Sequence, residues 1–184
     1  MRNPVIGVMG ASNNDALSDR EEKRLKSLAD DLGAALATHG CILVTGATTG
    51  LPDLVARAFR KQGGFALGIS PAENRAEHLD HYGLPEEGTD VIIYTGFGYK
   101  GRNVINIRSA DIVIIFGGAI GTLNEFTIAY DEGKIIGVLE GSGGVADHIR
   151  EIIGFCKKPT RGAVLFNDEP ARLIQQCLAA LSPS

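Results

Sequence analysis

Short β-branched runs alternate with longer amphipathic stretches along this chain. Residues 4–9, 41–45, 65–69, 90–95, 111–116, 134–139 and 163–166 are apolar runs of strand length. Continuous apolar runs of this kind predict strands covered on both faces. Between them, apolar positions recur at helical spacing. Leu25, Leu28, Ala29, Leu32 and Leu36 form one stripe, opened by the capping pattern Ser18-Asp-Arg-Glu21 and closed at Gly40. Pro52 suits the first position of a second helix, whose apolar face holds Leu54, Val55, Ala58 and Phe59 and which stops at Gly63-Gly64. Further helices are expected over 102–110, 122–132, 145–153 and 168–181. The polar stretch 71–88 reads as a long surface loop. This alternation predicts an α/β fold: a single doubly wound, Rossmann-like nucleotide-binding domain over residues 1–184, with about seven mostly parallel strands and helices on both faces.

In such sheets ligands bind outside the carboxyl ends of the strands, and the segments that follow the strands are rich in glycine. They read Gly10-Ala-Ser-Asn-Asn14, Gly46-Ala-Thr-Thr-Gly50, Gly96-Phe-Gly-Tyr-Lys-Gly101, Gly117-Gly-Ala-Ile-Gly-Thr122 and Glu140-Gly-Ser-Gly-Gly144. Glycine lets a ligand approach the backbone closely, and a helix start beyond each turn offers free N–H groups and partial positive charge. The expected result is a phosphate cradle formed by Gly10, Ser12, Gly46, Thr48, Gly98, Gly117, Gly118, Gly121 and Thr122. The alternative is that these turns are glycine-rich only for folding. Asn103 and Asn106, one helical turn apart, either cap or touch ligand. Tyr99 either stacks on a ring or packs in its turn.

Composition narrows the chemistry. The 184 residues carry a net charge of -4 and no basic block, which argues against a broad duplex-binding surface but leaves small anions open. Cys41, Cys156 and Cys177 show neither paired nor metal-type spacing and sit in apolar stretches. Buried free thiols, a reducing compartment and a cytoplasmic location are expected. No apolar run reaches membrane length. There is no Walker A sequence and no Gly-x-Ser-x-Gly elbow. Gly96-x-Gly-x-x-Gly101 matches the dinucleotide fingerprint, but the acid expected about 20 residues on is missing. His78 and His81 have too few companions for a metal site and read as solvated; no metal is expected.

At Gly117-Gly-Ala-Ile-Gly-Thr-Leu-Asn-Glu125 the chain resembles the Pro-Gly-Gly-x-Gly-Thr-x-x-Glu motif of the LOG family. Those proteins are cytokinin-activating phosphoribohydrolases, often labelled lysine decarboxylase-like. Their superfamily also holds molybdenum-cofactor carrier proteins and DNA-processing Rossmann proteins. The resemblance covers nearly the whole chain and implies that Arg102 and Glu125 stand where the hydrolases carry their catalytic arginine and glutamate. The surroundings depart from that pattern. Phe116 replaces the motif's proline, and Lys100-Gly-Arg-Asn-Val104 lacks the histidine and lysine that flank the hydrolase arginine. The likeness is therefore closer to the carrier-type branch.

Two functions follow. In the first, the cleft binds a phosphorylated nucleotide-like or pterin-type ligand without turnover. No cofactor is required, and a nucleotide or molybdopterin-like molecule is the expected occupant. In the second, the chain cleaves the N-glycosidic bond of a nucleoside 5′-monophosphate, Glu125 stabilising the positive charge that builds on the sugar and Arg102 holding the anion. Thr122-Leu-Asn-Glu125 also reads as a capping box, and Arg102 as a solvated or acid-paired side chain. A third reading is an oligomeric scaffold or DNA-processing partner with an empty cleft. A homodimer or homotetramer is implied by the resemblance alone.

Overall fold

The computed structural model describes residues 2–12 and 18–181. Asn13 and Asn14, the end of the first glycine turn, lie outside the described residues. Among the described residues seven strands form one all-parallel sheet: β1 Val5–Gly10, β2 Ile42–Thr45, β3 Phe65–Ser70, β4 Val91–Tyr94, β5 Ile112–Phe116, β6 Ile135–Leu139 and β7 Val164–Asn167. The helices are α1 Asp19–Ala37, α2 Leu51–Lys61, α3 Gly98–Ser109, α4 Ile120–Asp131, α5 Ile149–Cys156 and α6 Pro170–Leu181.

Strand β5 shows why both faces are covered. All five of its side chains are buried. Ile112, Ile114 and Phe116 enter a core with Leu32 of α1, Phe59 of α2 and Leu173 of α6. Val113 and Ile115 point the other way, into a core with Ile107 of α3, Phe126 of α4 and Ile149 of α5. The period of two assigns alternate residues to opposite faces. Both faces must therefore be apolar, and the run loses its alternation.

The sheet order is β4-β3-β2-β1-β5-β6-β7. The chain steps outward from β1 to β4, then returns to the other side of β1 with β5. Connections leave β1 and β5 in opposite directions, which opens a crevice at their carboxyl ends. Gly10 is paired in register with Phe116 at that point. A Cβ on Gly10 would lie 2.4 Å from the Phe116 carbonyl oxygen, so only glycine fits there.

Three sequence expectations change. The stretch 71–88 is not a plain surface loop: it contains a π-helical turn, Glu77–His81, and His78 is fully buried. Its Nδ1 lies 2.8 Å from Ser70 Oγ and its Nε2 lies 3.2 Å from the Pro85 carbonyl oxygen. Those two partners satisfy a ring that the local sequence presents as solvated. Second, α3 begins at Gly98 rather than 102, and α4 at Ile120 rather than 122. Third, Cys41 and Cys177 are buried but Cys156 is exposed, because it closes α5 at the surface.

Candidate ligand-binding cleft

A cleft of about 380 Å³ opens at the β1–β5 crevice. The turn after β1 lines it with Gly10 and Ser12, and the turn after β2 with Gly46 and Thr48. Helix α3 contributes Tyr99, Lys100, Arg102 and Asn103, while the start of α4 contributes Gly121, Thr122 and Glu125. The first two turns are stitched together. Thr49 Oγ1 donates to the Ser12 carbonyl oxygen (2.7 Å), and the Leu51 N–H donates to that of Ala11 (2.9 Å).

The remaining predicted glycines, Gly98, Gly117 and Gly118, do not line the cleft. The Gly117 N–H is already used, donating to Ser142 Oγ at 2.9 Å. The Gly117 and Gly118 carbonyls accept from Ala146 and Val145. Gly118 has φ +97°, and a Cβ there would strike Thr122 Oγ1 at 2.3 Å. These glycines build the turn, and the Glu140–Gly144 segment after β6 buttresses it.

Arg102 and Glu125 meet at the floor of the cleft. Arg102 Nη1 lies 3.3 Å from Glu125 Oε1, and the residues are only 5% and 6% exposed. The guanidinium rests on the backbone of Gly46, where an added Cβ would come within 2.3 Å of Nη1. Asn106, with its amide turned to satisfy both neighbours, donates to the Thr45 carbonyl oxygen at 3.2 Å and accepts from Arg102 Nη1 at 3.0 Å. Asn103, turned likewise, donates to Glu125 Oε1 (3.2 Å) and to the Tyr99 carbonyl oxygen (2.8 Å). Burial pushes the Glu125 carboxyl up to about 6, against the opposite pull of Arg102. Burial also lowers Arg102, against the attraction of Glu125.

The earlier starts of α3 and α4 remove the expected helix-end roles. Arg102 and Glu125 stand in second turns, not first ones. Ala119, not Thr122, is the N-cap of α4 and supplies no side-chain cap. Glu125 is therefore not consumed in a capping box. The first-turn amides of α4 have no helical carbonyl to donate to, and that turn contains no acid. Arg102 Nε is buried without a hydrogen-bond partner among the described residues. A buried guanidine nitrogen normally has a partner; this one is enclosed by protein atoms and has none among those residues.

Lys100 was missed by sequence reasoning; its only signal was a cation inside a glycine-rich turn. Tyr99 is half-exposed at the mouth, with the Tyr82 ring against it edge-on, 5.4 Å between centroids.

A family model described as the SLOG cluster4 family matches residues 3–174. The chain belongs to that family. An uncharacterized protein of Archaeoglobus fulgidus is 31% identical over 135 residues, covering 73% of this chain and 79% of the relative. Among solved structures, the Moco carrier protein of Chlamydomonas reinhardtii matches with a TM-score of 0.74 at 27% identity, covering 97% of this chain and 99% of that one. The molybdenum cofactor binding protein of Rippkaea orientalis matches with a TM-score of 0.72 at 25% identity, covering 99% of both chains. The superfamily likeness read at Gly117–Glu125 is thus shown, and so is the Rossmann-like fold. No helix among the described residues is long and apolar enough to cross a membrane.

Proposed function

We propose that this SLOG cluster4 protein binds a small phosphorylated ligand built on a flat heteroaromatic ring, nucleotide-like or pterin-like. The observation that carries the reading is the uncapped start of α4 facing a buried Arg102–Glu125 pair in one cleft. Free amides and the helix dipole suit a phosphate at Gly121 and Thr122. Tyr99 leaves part of its ring open at the mouth, with the Arg102 guanidinium over it at 5.9 Å from the ring centroid. The cleft volume falls in the range of small-molecule sites. Structural neighbours whose names specify carriage or binding of molybdenum cofactor support a pterin-type occupant. Calorimetric titration with nucleoside monophosphates and phosphopterins tests this; the reading predicts saturable binding to at least one, and flat traces across the panel would end it.

One observation favours turnover as a second reading. A carboxyl pushed up to about 6 is poised to exchange a proton near neutral pH. In that reading Glu125 acts at the N-glycosidic bond of a nucleoside 5′-monophosphate, and Arg102 orients the ligand. Chromatography detects the free base. Release that survives Glu125→Gln unchanged would remove the mechanism.

We also infer a homodimer or homotetramer from the superfamily likeness; light scattering that returns a monomer would overturn this.

A further inference from the structure

We propose that Lys100 is the residue that recruits the ligand's anionic group, while Arg102 and Glu125 form an internally neutral pair that reads its polar head. This rests on the binding function above and assigns its charge.

Among the described residues, three charged side chains line the cleft: Lys100, Arg102 and Glu125. Arg102 and Glu125 neutralise each other at 3.3 Å. Arg102 is further held by Asn106 and lies against Gly46. Seen by an incoming ligand, this pair is a dipole with no net charge. Among the described residues the cleft's net charge is therefore that of Lys100. Lys100 is exposed, and no carboxylate among the described residues pairs with it. It still acts on the floor of the cleft, since its charge pulls the Glu125 carboxyl downward.

The position of this lysine is itself unfavourable. It stands in the first turn of α3, which carries no acid and no side-chain cap. A cation there opposes the helix dipole. The uncapped start of α4 borders the same cleft, so Lys100 faces two positive helix ends. A bound anion relieves all three. Lysine suits the task, being a mobile, strongly hydrated point charge that can follow a ligand inward, whereas the pinned Arg102 cannot.

The test is calorimetric titration of the full chain with AMP and with inorganic phosphate, at low and at high salt. Lys100→Ala is expected to weaken AMP binding about five- to tenfold at low salt. It is also expected to flatten the salt dependence, because screening acts on the charge that has been removed. Lys100→Arg should restore most of both. Lys61→Ala removes one positive charge at the far end of α2 and should leave binding unchanged. Thermal melts check the fold of each variant. If Lys100→Ala binds AMP like the wild type, with the same salt response, the assignment is overturned while ligand binding stands. An equal loss of binding in Lys61→Ala overturns the assignment too. A wild type that binds neither probe nor any phosphopterin overturns both the assignment and the function it rests on.

Discussion

Replacing Glu125 by glutamine keeps the shape of the side chain and removes its charge. Burial raises the Glu125 carboxyl from 4.5 to about 6 although Arg102 and Lys100 pull it down. Arg102 is lowered for the same reason. In both partners desolvation outweighs their attraction, so the ion pair costs stability. A carboxyl whose folded value lies above its unfolded one is protonated more readily in the folded protein. Its contribution to stability is complete below about 4.5 and is lost as pH rises through about 6. A shift of that size corresponds to about 2 kcal/mol at neutral pH, to order of magnitude. Glutamine, neutral at every pH, escapes the loss. Glu125→Gln is expected to raise the melting midpoint by roughly 4–8 °C at neutral pH and to flatten the decline in stability between about pH 4.5 and 6. Calorimetric scans of both proteins across that range read the effect. A variant less stable than the wild type at neutral pH, with the decline intact, would refute the reasoning: the pair would then be a stabilising element needing no ligand to explain it. The opposite trade is expected, stability gained and function lost, as at sites kept for chemistry.

Other outcomes follow from the same geometry. Gly46→Ala puts a Cβ against the Arg102 guanidinium, which can move only by giving up Glu125 and Asn106. The expected cost is about 1–3 kcal/mol, most of it absent in an Arg102→Ala background; a double-mutant cycle in urea checks this, and additive costs would contradict it. Gly118→Ala combines a left-handed backbone with a clash at Thr122 and should destabilise by roughly 1–3 kcal/mol; an unchanged urea midpoint would contradict the role given to that turn. Burial pushes the Cys41 thiol up to about 11 and the Cys177 thiol up to about 12, while Cys156 is exposed. A thiol reagent should therefore meet one fast cysteine, with the other two reacting only on unfolding; three fast thiols would contradict the packing.

The strand–helix alternation and the crevice it creates were legible because they rest on local periods and on glycines that follow apolar runs. Gly10, Gly46 and Gly121 could be placed at the cleft on that basis. The use of each backbone group could not. The Gly117 N–H is spent on Ser142, 25 residues away, and no local pattern encodes that bond. Nor does the motif around Thr122 show that α4 begins two residues earlier at Ile120 and so frees Glu125 from capping. His78 misled for a similar reason. Its partners are Ser70, eight residues before it, and the Pro85 carbonyl oxygen after it, and only the folded crossover brings them together. Arg102 and Glu125 were singled out by resemblance. Their burial, mutual pairing and contact with Gly46 came from the fold.

Amide NMR of the isotopically labelled chain during titration with AMP and, separately, with a phosphopterin tests the central claim most directly. Chemical-shift changes are expected to concentrate at Ser12, Thr48, Gly121 and Thr122, with the Arg102 Nε–H resonance moving alongside them. A spectrum that stays still with both ligands, or one whose changes centre on the α4–α5 groove around Ile128 and Ile153, would contradict it.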